Sequence, residues 1–422
     1  MLTLSQPLTT DFSALRPEIQ DLQADLVAWR RQIHQRPELG FQEELTAQFI
    51  CDRLEEWKVP YERAVAKTGI VVTIEGKAKR KAEGKAKNGQ SPVLAIRADM
   101  DGLPVQELNE VPYCSVHEGK MHACGHDGHV AIALGTAKYL QAHRDRFCGT
   151  VKIIFQPAEE GPGGAQPMVE AGVLTNPAVD ALVGLHLWNN LPLGTLGVCS
   201  GPMMAATEFF HCTIQGKGGH GAIPQQTVDA VVVGAQVVNA LQTIVSRNID
   251  PLKSAVVTVG EFKAGTAVNV IADTAFLSGT VRYFDPDYGE LIPERLEQVI
   301  AGVCAAHGAS YQLDYHKLYP PVINDRAIAD LVRSVALSVV ETPAGVVPEC
   351  QTMGGEDVSF FLQAVPGCYF FLGSANTDKD LAYPHHHPRF NFDETALSVG
   401  VEIFVRIVEK FCAPSEASGI LA

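Results

Sequence analysis

Between Ala24 and Trp57 the apolar residues Leu26, Val27, Ile33, Leu45, Phe49, Ile50 and Leu54 recur at near-helical spacing, with Pro37 and Gly40 interrupting them. That pattern predicts two amphipathic helices joined by a turn. A different texture follows. GIVVTIEG (69–76), VLAIR (93–97), VKIIFQPAEE (151–160) and ALVGLHLW (181–188) are nearly continuous apolar runs, and the last three are separated by helix-like segments near 127–143 and 164–171. Apolar strands alternating with helices predict an α/β sheet covered on both faces. Polar residues at the ends of such strands fall where open α/β sheets bind ligands.

Around Gly201 the runs lengthen and alternate: AATEFFHCTIQG (205–216), SAVVTVGEF (254–262) and TAFLSGTVRYF (274–284), set around helical patterns at 228–245 and 289–306 and closed by SYQLDYHKLYP (310–320). This order predicts a compact α+β domain inserted into the first. From Asp325 α/β texture returns in AIADLVRSVALSVV, DVSFFLQAV and CYFFLGS, with a last helix over roughly 393–411. The expected organisation is therefore 1–200 and 316–422 as one split domain and 201–315 as the insert. The junction between them is the expected cleft.

Composition narrows the partners. A net charge of -15 excludes an extended nucleic-acid footprint, which needs clustered Lys and Arg. The one basic stretch, KAKRKAEGKAKNGQS (77–91), has no aromatic residues and is expected to be an exposed hairpin-like loop. Ten cysteines over 422 residues suit reduced thiols better than a disulfide framework. The N-terminal MLTLSQPLTTDFSALRPEIQ lacks a basic region followed by an apolar run, and no segment is expected to match a spanning helix of roughly 18 apolar residues. A cytoplasmic location without membrane contact is the expectation.

Chemistry collects at strand ends. Asp99 and Asp101 follow VLAIR, Glu159 and Glu160 follow VKIIF, and His186 lies in VGLHLW. HACGHDGH (122–129) supplies Cys124 and His126, and YPHHHPRF (383–390) supplies three more histidines. Thiolate, imidazole and carboxylate together suit a borderline transition ion such as Zn, Mn, Co or Ni, and the sulfur argues against an all-oxygen Mg or Ca site. If one of the adjacent glutamates is a ligand, the other can act as general base toward an activated water. Each feature has a plainer reading when taken singly. The glutamates can be a carboxylate pair at a helix N-terminus, His186 a satisfied core histidine, and His385–His387 a solvent-exposed run. Their joint placement at one sheet edge favours a single site.

The segments RRQIHQRPELGFQE (30–43), RADMDGLPVQE (97–107), HACGHDGH, FQPAEEGPGGA (155–165), GLH (184–186), GKGGHGAIPQQTVDA (216–230), GTAVNVIAD (265–273), MGGEDVSFF (353–361) and HHHPRFNFDE (385–394) resemble the M20 metallopeptidase and amidohydrolase superfamily. Within it they are most similar to the branch of hippurate, N-acyl-amino-acid and auxin-conjugate hydrolases. The resemblance implies a metallopeptidase-type catalytic domain with a mixed sheet, interrupted by a lid and dimerisation domain. It also implies two divalent ions on Cys124, His126, Glu160, His186 and His386, with Glu159 as general base. His386 is chosen because relatives carry the ligand two residues before the proline, here Pro388. His385 and His387 remain the other choices.

Peptidase relatives carry a His-x-Asp pair where this chain has Asp99 and Asp101. Asp101 then resembles a carboxylate that orients a metal-bound histidine, while Asp99 is left without a settled role. His220 resembles a donor to the developing oxyanion or to a substrate carboxylate, reaching the site of the opposite subunit of a homodimer, and Asn269 resembles a second donor near the same carbonyl oxygen. Arg282 is a weaker candidate for gripping a carboxylate. Glu356 and Asp357 in MGGED, and His34 and Glu38, resemble structural supports.

The expected reaction is hydrolysis of the amide of an N-acyl-L-amino acid or related small conjugate. A metallo-aminopeptidase or dipeptidase is the enzymatic alternative, and a metal-binding regulatory module without turnover the non-enzymatic one. A redox role for Cys124 ranks below these, because no CxxC partner stands beside it.

Overall fold

The computed structural model describes residues 15–79, 91–340 and 342–414. Most of the basic insertion, residues 80–90, lies outside the described residues, and so does the expectation of a hairpin-like loop there. The chain divides into two compact units, one of 1–201, 323–350 and 360–422 and the other of 202–322 and 351–359. The return to the first unit comes after residue 316 because the strand Ser310–Tyr319 keeps pairing with Thr207–Gln215 up to Tyr319.

The first unit is built on an eight-stranded mixed sheet. Its four central strands, Thr150–Gln156, Val93–Asp99, Ala181–Pro192 and Gly367–Ala375, are mutually parallel neighbours in that order. Burial on both faces explains their near-continuous apolar sequence: every residue of Val93–Asp99 is buried. Gly69–Glu75 adds antiparallel to Thr150–Gln156, and Tyr61–Val65 closes that edge. The two N-terminal helices, Gln23–His34 and Glu44–Glu56, match the expected amphipathic pair. Glu38, in the turn between them, accepts from the backbone N–H of Leu45 and Thr46 and so caps the second helix.

The central helix, His126–Ala142, is buried on nearly all sides, which its apolar sequence requires. Gln23–His34 and Ala396–Phe411 pack beside it. Arg30 crosses this interface fully buried, donating to Asp127 at 2.7 Å and to Asn391 at 2.9 Å, and reaching Glu394 at 3.2 Å. His34 contacts the same Asp127 oxygen at 2.7 Å. Burial alone would raise the Asp127 pKa, yet Arg30 and His34 hold it well below the usual carboxylate range.

The second unit is a four-stranded antiparallel sheet in the order Ala255–Ala264, Thr274–Tyr283, Thr207–Gln215, Ser310–Tyr319. The helices Ala230–Asn248 and Tyr288–His307 bury Val233, Val237, Leu241, Ile244, Ile292, Leu296 and Ile300 with the inward residues Phe210, Cys212 and Ile214. Asp229 caps the first of these helices by accepting from the N–H of Val231 and Val232. That helix corrects one expectation, since by length and composition it is apolar enough to cross a membrane. The reason is composition: Val231, Val232 and Ala235 are exposed in addition to the buried apolar face, and Gln236, Asn239 and Gln242 on the outer side are polar without charge.

Removing the Arg30 side chain strands the Asp127 charge in the core. Arg30→Ala is expected to lower stability by about 3–5 kcal/mol, the usual cost of breaking a buried ion pair from one side. Urea unfolding of both proteins measures it, and an unchanged midpoint would contradict the assignment.

Candidate metal centre

All the residues expected to bind metal lie in the first unit: Cys124, His126, Glu160 and His386 follow its parallel strands in the chain, and His186 lies within Ala181–Pro192. Cys124 and His126 flank Gly125, whose φ of 95° is a left-handed value open to glycine at little cost. His126 then opens the central helix. Glu159 and Glu160 follow Thr150–Gln156 in a turn, and the nearest helix begins only at Ala165, so the reading of a helix N-terminal pair is excluded. Gly40 lies so close to this turn that a Cβ there would stand 2.3 Å from the Gly161 carbonyl oxygen. Glu43 fixes the turn from outside the cluster, accepting from the N–H of Ala158 at 2.8 Å and from the Thr68 hydroxyl at 2.6 Å. His386 adopts φ 65°, uncommon for a residue with a Cβ, and its N–H donates to Ala123 at 2.7 Å.

The side chains meet in two groups that share one thiol. Ligand atoms of Cys124, His126 and His186 lie within 4.8 Å of one another, as do those of Cys124, Glu160 and His386. Glu159 and Glu160 form a third such group with His126. Cys124 Sγ is 3.4 Å from His186 Nε2, and Glu160 Oε1 is 3.1 Å from His386 Nε2.

Asp101 organises the centre without joining it. Its side chain accepts from His126 Nδ1 at 3.2 Å, and its backbone carbonyl accepts from the same nitrogen at 3.0 Å. The carboxylate also takes the backbone N–H of Glu159 at 3.1 Å and of Glu160 at 3.0 Å. With Nδ1 donating, His126 turns Nε2 inward as a lone pair, and that buried nitrogen has no hydrogen-bond partner among the described residues.

The peptide of Leu187 plays a matching part. Its carbonyl accepts from His186 Nδ1 at 2.7 Å and from His385 Nε2 at 2.9 Å, while its N–H donates to His129 Nε2 at 2.9 Å. His186 is thereby fixed with Nε2 toward Cys124. His129 is held in turn by Asp99 at 2.5 Å.

The donor set fits divalent transition ions. Burial disfavours a charged His126, but Asp99, Asp101 and Glu160 overcome this and pull its pKa up to about 10. The field that would retain a proton at Nε2 would equally retain a metal cation. Burial keeps His186 neutral, the form that ligates. Burial and then the two glutamates push the Cys124 thiol well above its ordinary pKa, so a thiolate there requires a cation.

Among the three consecutive histidines, geometry separates the candidates. His385 is engaged by Leu187, and His387 accepts from the Arg389 N–H and stacks on Tyr383, leaving His386 beside Glu160. Asp99 has both oxygens occupied, one by His129 and one by Arg97 at 2.7 Å, which accounts for its place outside the ligand groups that contain Cys124. Asp127 and His34 belong to the Arg30 network described above. His122 is buried with neither ring nitrogen hydrogen-bonded among the described residues, and burial lowers its pKa to about 3.

A supporting role for His129 is expected from its place in HACGHDGH, but that His129 and His385 both hold the Leu187 peptide is not legible in the sequence. The triple histidine was the available signal for His385. Nothing in the sequence points to the Leu187 peptide, whose role is purely main-chain.

In the second unit His220 and Asn269 come together. His220 pairs with Val270 across a short antiparallel ribbon, and the Gly221 N–H donates to the Asn269 carbonyl at 2.8 Å. Both residues are exposed. Arg282 contacts the Thr207 hydroxyl, and burial lowers its pKa. Glu356 and Asp357 are buried in the 351–359 segment of the same unit.

Comparison with known proteins agrees with this chemistry. Residues 95–410 match the profile of Peptidase family M20/M25/M40. An N-acyl-L-amino acid amidohydrolase of Geobacillus stearothermophilus is 46% identical over 309 residues, 72% of this chain and 80% of the relative. The IAA-amino acid hydrolase ILR1-like 4 of Arabidopsis thaliana is 39% identical over 399 residues, 93% of this chain and 87% of the relative. Among solved structures, the YXEP protein of Bacillus subtilis, described as a dinuclear metal-binding peptidase of this family, superposes with a TM-score of 0.79 at 34% identity, covering 93% of this chain and 99% of that one. With a profile match over most of its length and relatives at this level of identity, the chain belongs to peptidase family M20/M25/M40.

Proposed function

We propose that this M20-family amidohydrolase cleaves the amide bond of N-acyl-L-amino acids and related amino-acid conjugates, giving a carboxylic acid and a free amino acid. The observation that carries the reading is the pair of ligand groups sharing Cys124, with the Glu159 carboxylate beside them. The names of the relatives support the substrate class.

Cys124, His126, Glu160, His186 and His386 would hold two divalent transition ions, of which Mn, Zn, Co and Ni all suit the donors. When bound, such a pair polarises the scissile carbonyl and acidifies a water. Glu159 takes a proton from that water and delivers it to the departing amine, for which a carboxylate near the scissile bond is required. Asp101 keeps the Glu159 backbone and the His126 ring in register. His220 and Asn269 would steady the carbonyl oxygen as charge develops there, supplied by the inserted unit of a second copy of the chain.

A homodimer through that unit is supported by the exposed Val231 and Val232 on the helix Ala230–Asn248. It is also supported by the outer edge of the strand Ala255–Ala264, which pairs with no further strand among the described residues. Ten free cysteines, nine of them buried, suit a reducing cytoplasmic setting.

Glu159→Gln is expected to keep its metal while losing about 10²–10⁴-fold in turnover, the usual range for a general base. In cobalt-loaded protein this variant should retain the near-ultraviolet thiolate-to-cobalt absorption, and Cys124→Ser should lose it. Substantial turnover in the first variant would remove Glu159 from the role of base. Persistence of the band in the second would remove Cys124 from the centre.

N-Acetyl and N-benzoyl amino acids are expected to be hydrolysed in preference to unblocked dipeptides. The reverse order would instead favour the dipeptidase alternative. For the second copy, sedimentation velocity should give a dimer, and mixing His220→Ala with Glu159→Gln chains should recover activity absent from either alone. Failure to complement would place His220 outside the partner's site.

A further inference from the structure

A second incompletely satisfied charge lies in the same strand as the turn bearing Glu159. Val151, Ile153 and Phe155 point to the core shared with the helix His126–Ala142, so alternation sends Lys152 to the opposite face of the sheet. There Lys152 is only 2% exposed, and its ammonium donates to the Val173 carbonyl at 2.8 Å. Among the described residues no carboxylate stands within ion-pair distance of it. A lysine ammonium has three donors, and a buried one without a counter-ion is costly. Burial pushes its pKa below the usual lysine range, and the charge of Glu62 opposes this.

Lys152 and Glu62 line one cavity of about 640 Å³. Its floor is set by strand register. Glu62 pairs with Val71, Val71 with Ile154, and Thr73 with Lys152, so that Glu62, Val71, Thr73 and Lys152 share a face across three neighbouring strands. The segment carrying Val173, Thr175 and Asn176 lines the cavity from the other side. The two opposite charges therefore face the same space without closing into a pair. Volume, a fixed ammonium on one wall and a carboxylate at the exposed strand are the elements that recognise a small molecule carrying both signs.

We propose that this cavity binds a small zwitterion of the α-amino-acid class, its carboxylate on the Lys152 ammonium and its ammonium toward Glu62. Glu62 disfavours multiply charged anions by repulsion, and Thr73 and Asn176 add neutral hydrogen-bonding capacity. The site is separate from the ligand cluster, since Lys152 lies near the start of Thr150–Gln156 and the glutamates follow its end. The inference stands without the proposed reaction, although that reaction would release a molecule of this kind.

Hydrogen–deuterium exchange on the metal-loaded full chain tests it locally, with alanine, acetate, ethylammonium and inorganic phosphate as probes. Alanine is expected to slow exchange in residues 61–73 and 171–176 at concentrations where acetate and ethylammonium have no effect. Lys152→Met should abolish the response, and Glu62→Gln should reduce alanine to the level of acetate. The proposal is overturned if alanine protects neither segment, if acetate or phosphate protects as well as alanine, or if Glu62→Gln leaves alanine preferred. Should Lys152→Met fail to fold, the Glu62→Gln arm decides alone, because that side chain is exposed. The readout is confined to these two segments, so its failure leaves the assignment of Glu159 and the metal ligands untouched.

Discussion

Two adjacent glutamates, a thiol and three imidazoles can share a buried space only if something outside the cluster fixes the backbone that carries them. Asp101 is that constraint. One carboxylate receives the Nδ1 proton of His126 and the N–H groups of both Glu159 and Glu160, so the orientation of a ligand and the position of the candidate base are set together. Burial raises the Asp101 pKa, and the contact with His126 works against this. The carboxylate is held in place by the groups it positions. Neutralising it would release the ring and the turn at once.

The parallel sheet makes this possible. Strand pairing sets Asp99, the last residue of its strand, level with Gln156, the last of its neighbour, while His186 stands within Ala181–Pro192 level with Phe371, so that separate parallel strands bring their side chains toward one region. What the strands deliver, main-chain groups then orient. The Leu187 carbonyl receives both His186 and His385, linking the strand that carries one candidate ligand to the loop that carries another. His129, braced by Asp99, holds the same peptide from its N–H side. Substitution of a residue such as His385 therefore acts on geometry before it acts on charge.

Much of the chemistry is legible in the sequence because each group interrupts or follows an apolar run: Cys124 and His126 before the central helix, Glu159 and Glu160 after VKIIF, His186 inside VGLHLW. The helices Gln23–His34, Glu44–Glu56 and Tyr288–His307 are legible for a related reason, namely a strong period of apolar residues. Three features are not. The division of labour among His385, His386 and His387 depends on one residue at φ 65°, which no local propensity announces. The Arg30 to Asp127 pair joins positions far apart in the chain, and spacing carries no information about it. The helix Ala230–Asn248 is apolar and nearly uncharged in composition, so it looks like a spanning segment although its outer side carries Gln236, Asn239 and Gln242 and its inner face forms the core of its unit.

Buried charge separates architecture from binding in this fold. Arg30 with Asp127, and Arg97 with Asp99, close on partners within the chain and hold elements together. His126 Nε2 and the Lys152 ammonium do not close in that way: among the described residues the nitrogen has no hydrogen-bond partner, and the ammonium has one carbonyl and a carboxylate across a cavity. A folded chain can tolerate such groups only at a cost in stability, which is withdrawn when a ligand of the missing sign arrives. At the end of Thr150–Gln156 the missing partner is a cation, because carboxylates surround the nitrogen. Near its beginning the missing partner is an anion with a positive charge of its own, because Glu62 answers the lysine from the far wall. The candidate metal centre and the second cavity thus call for ligands of opposite sign at two ends of one strand.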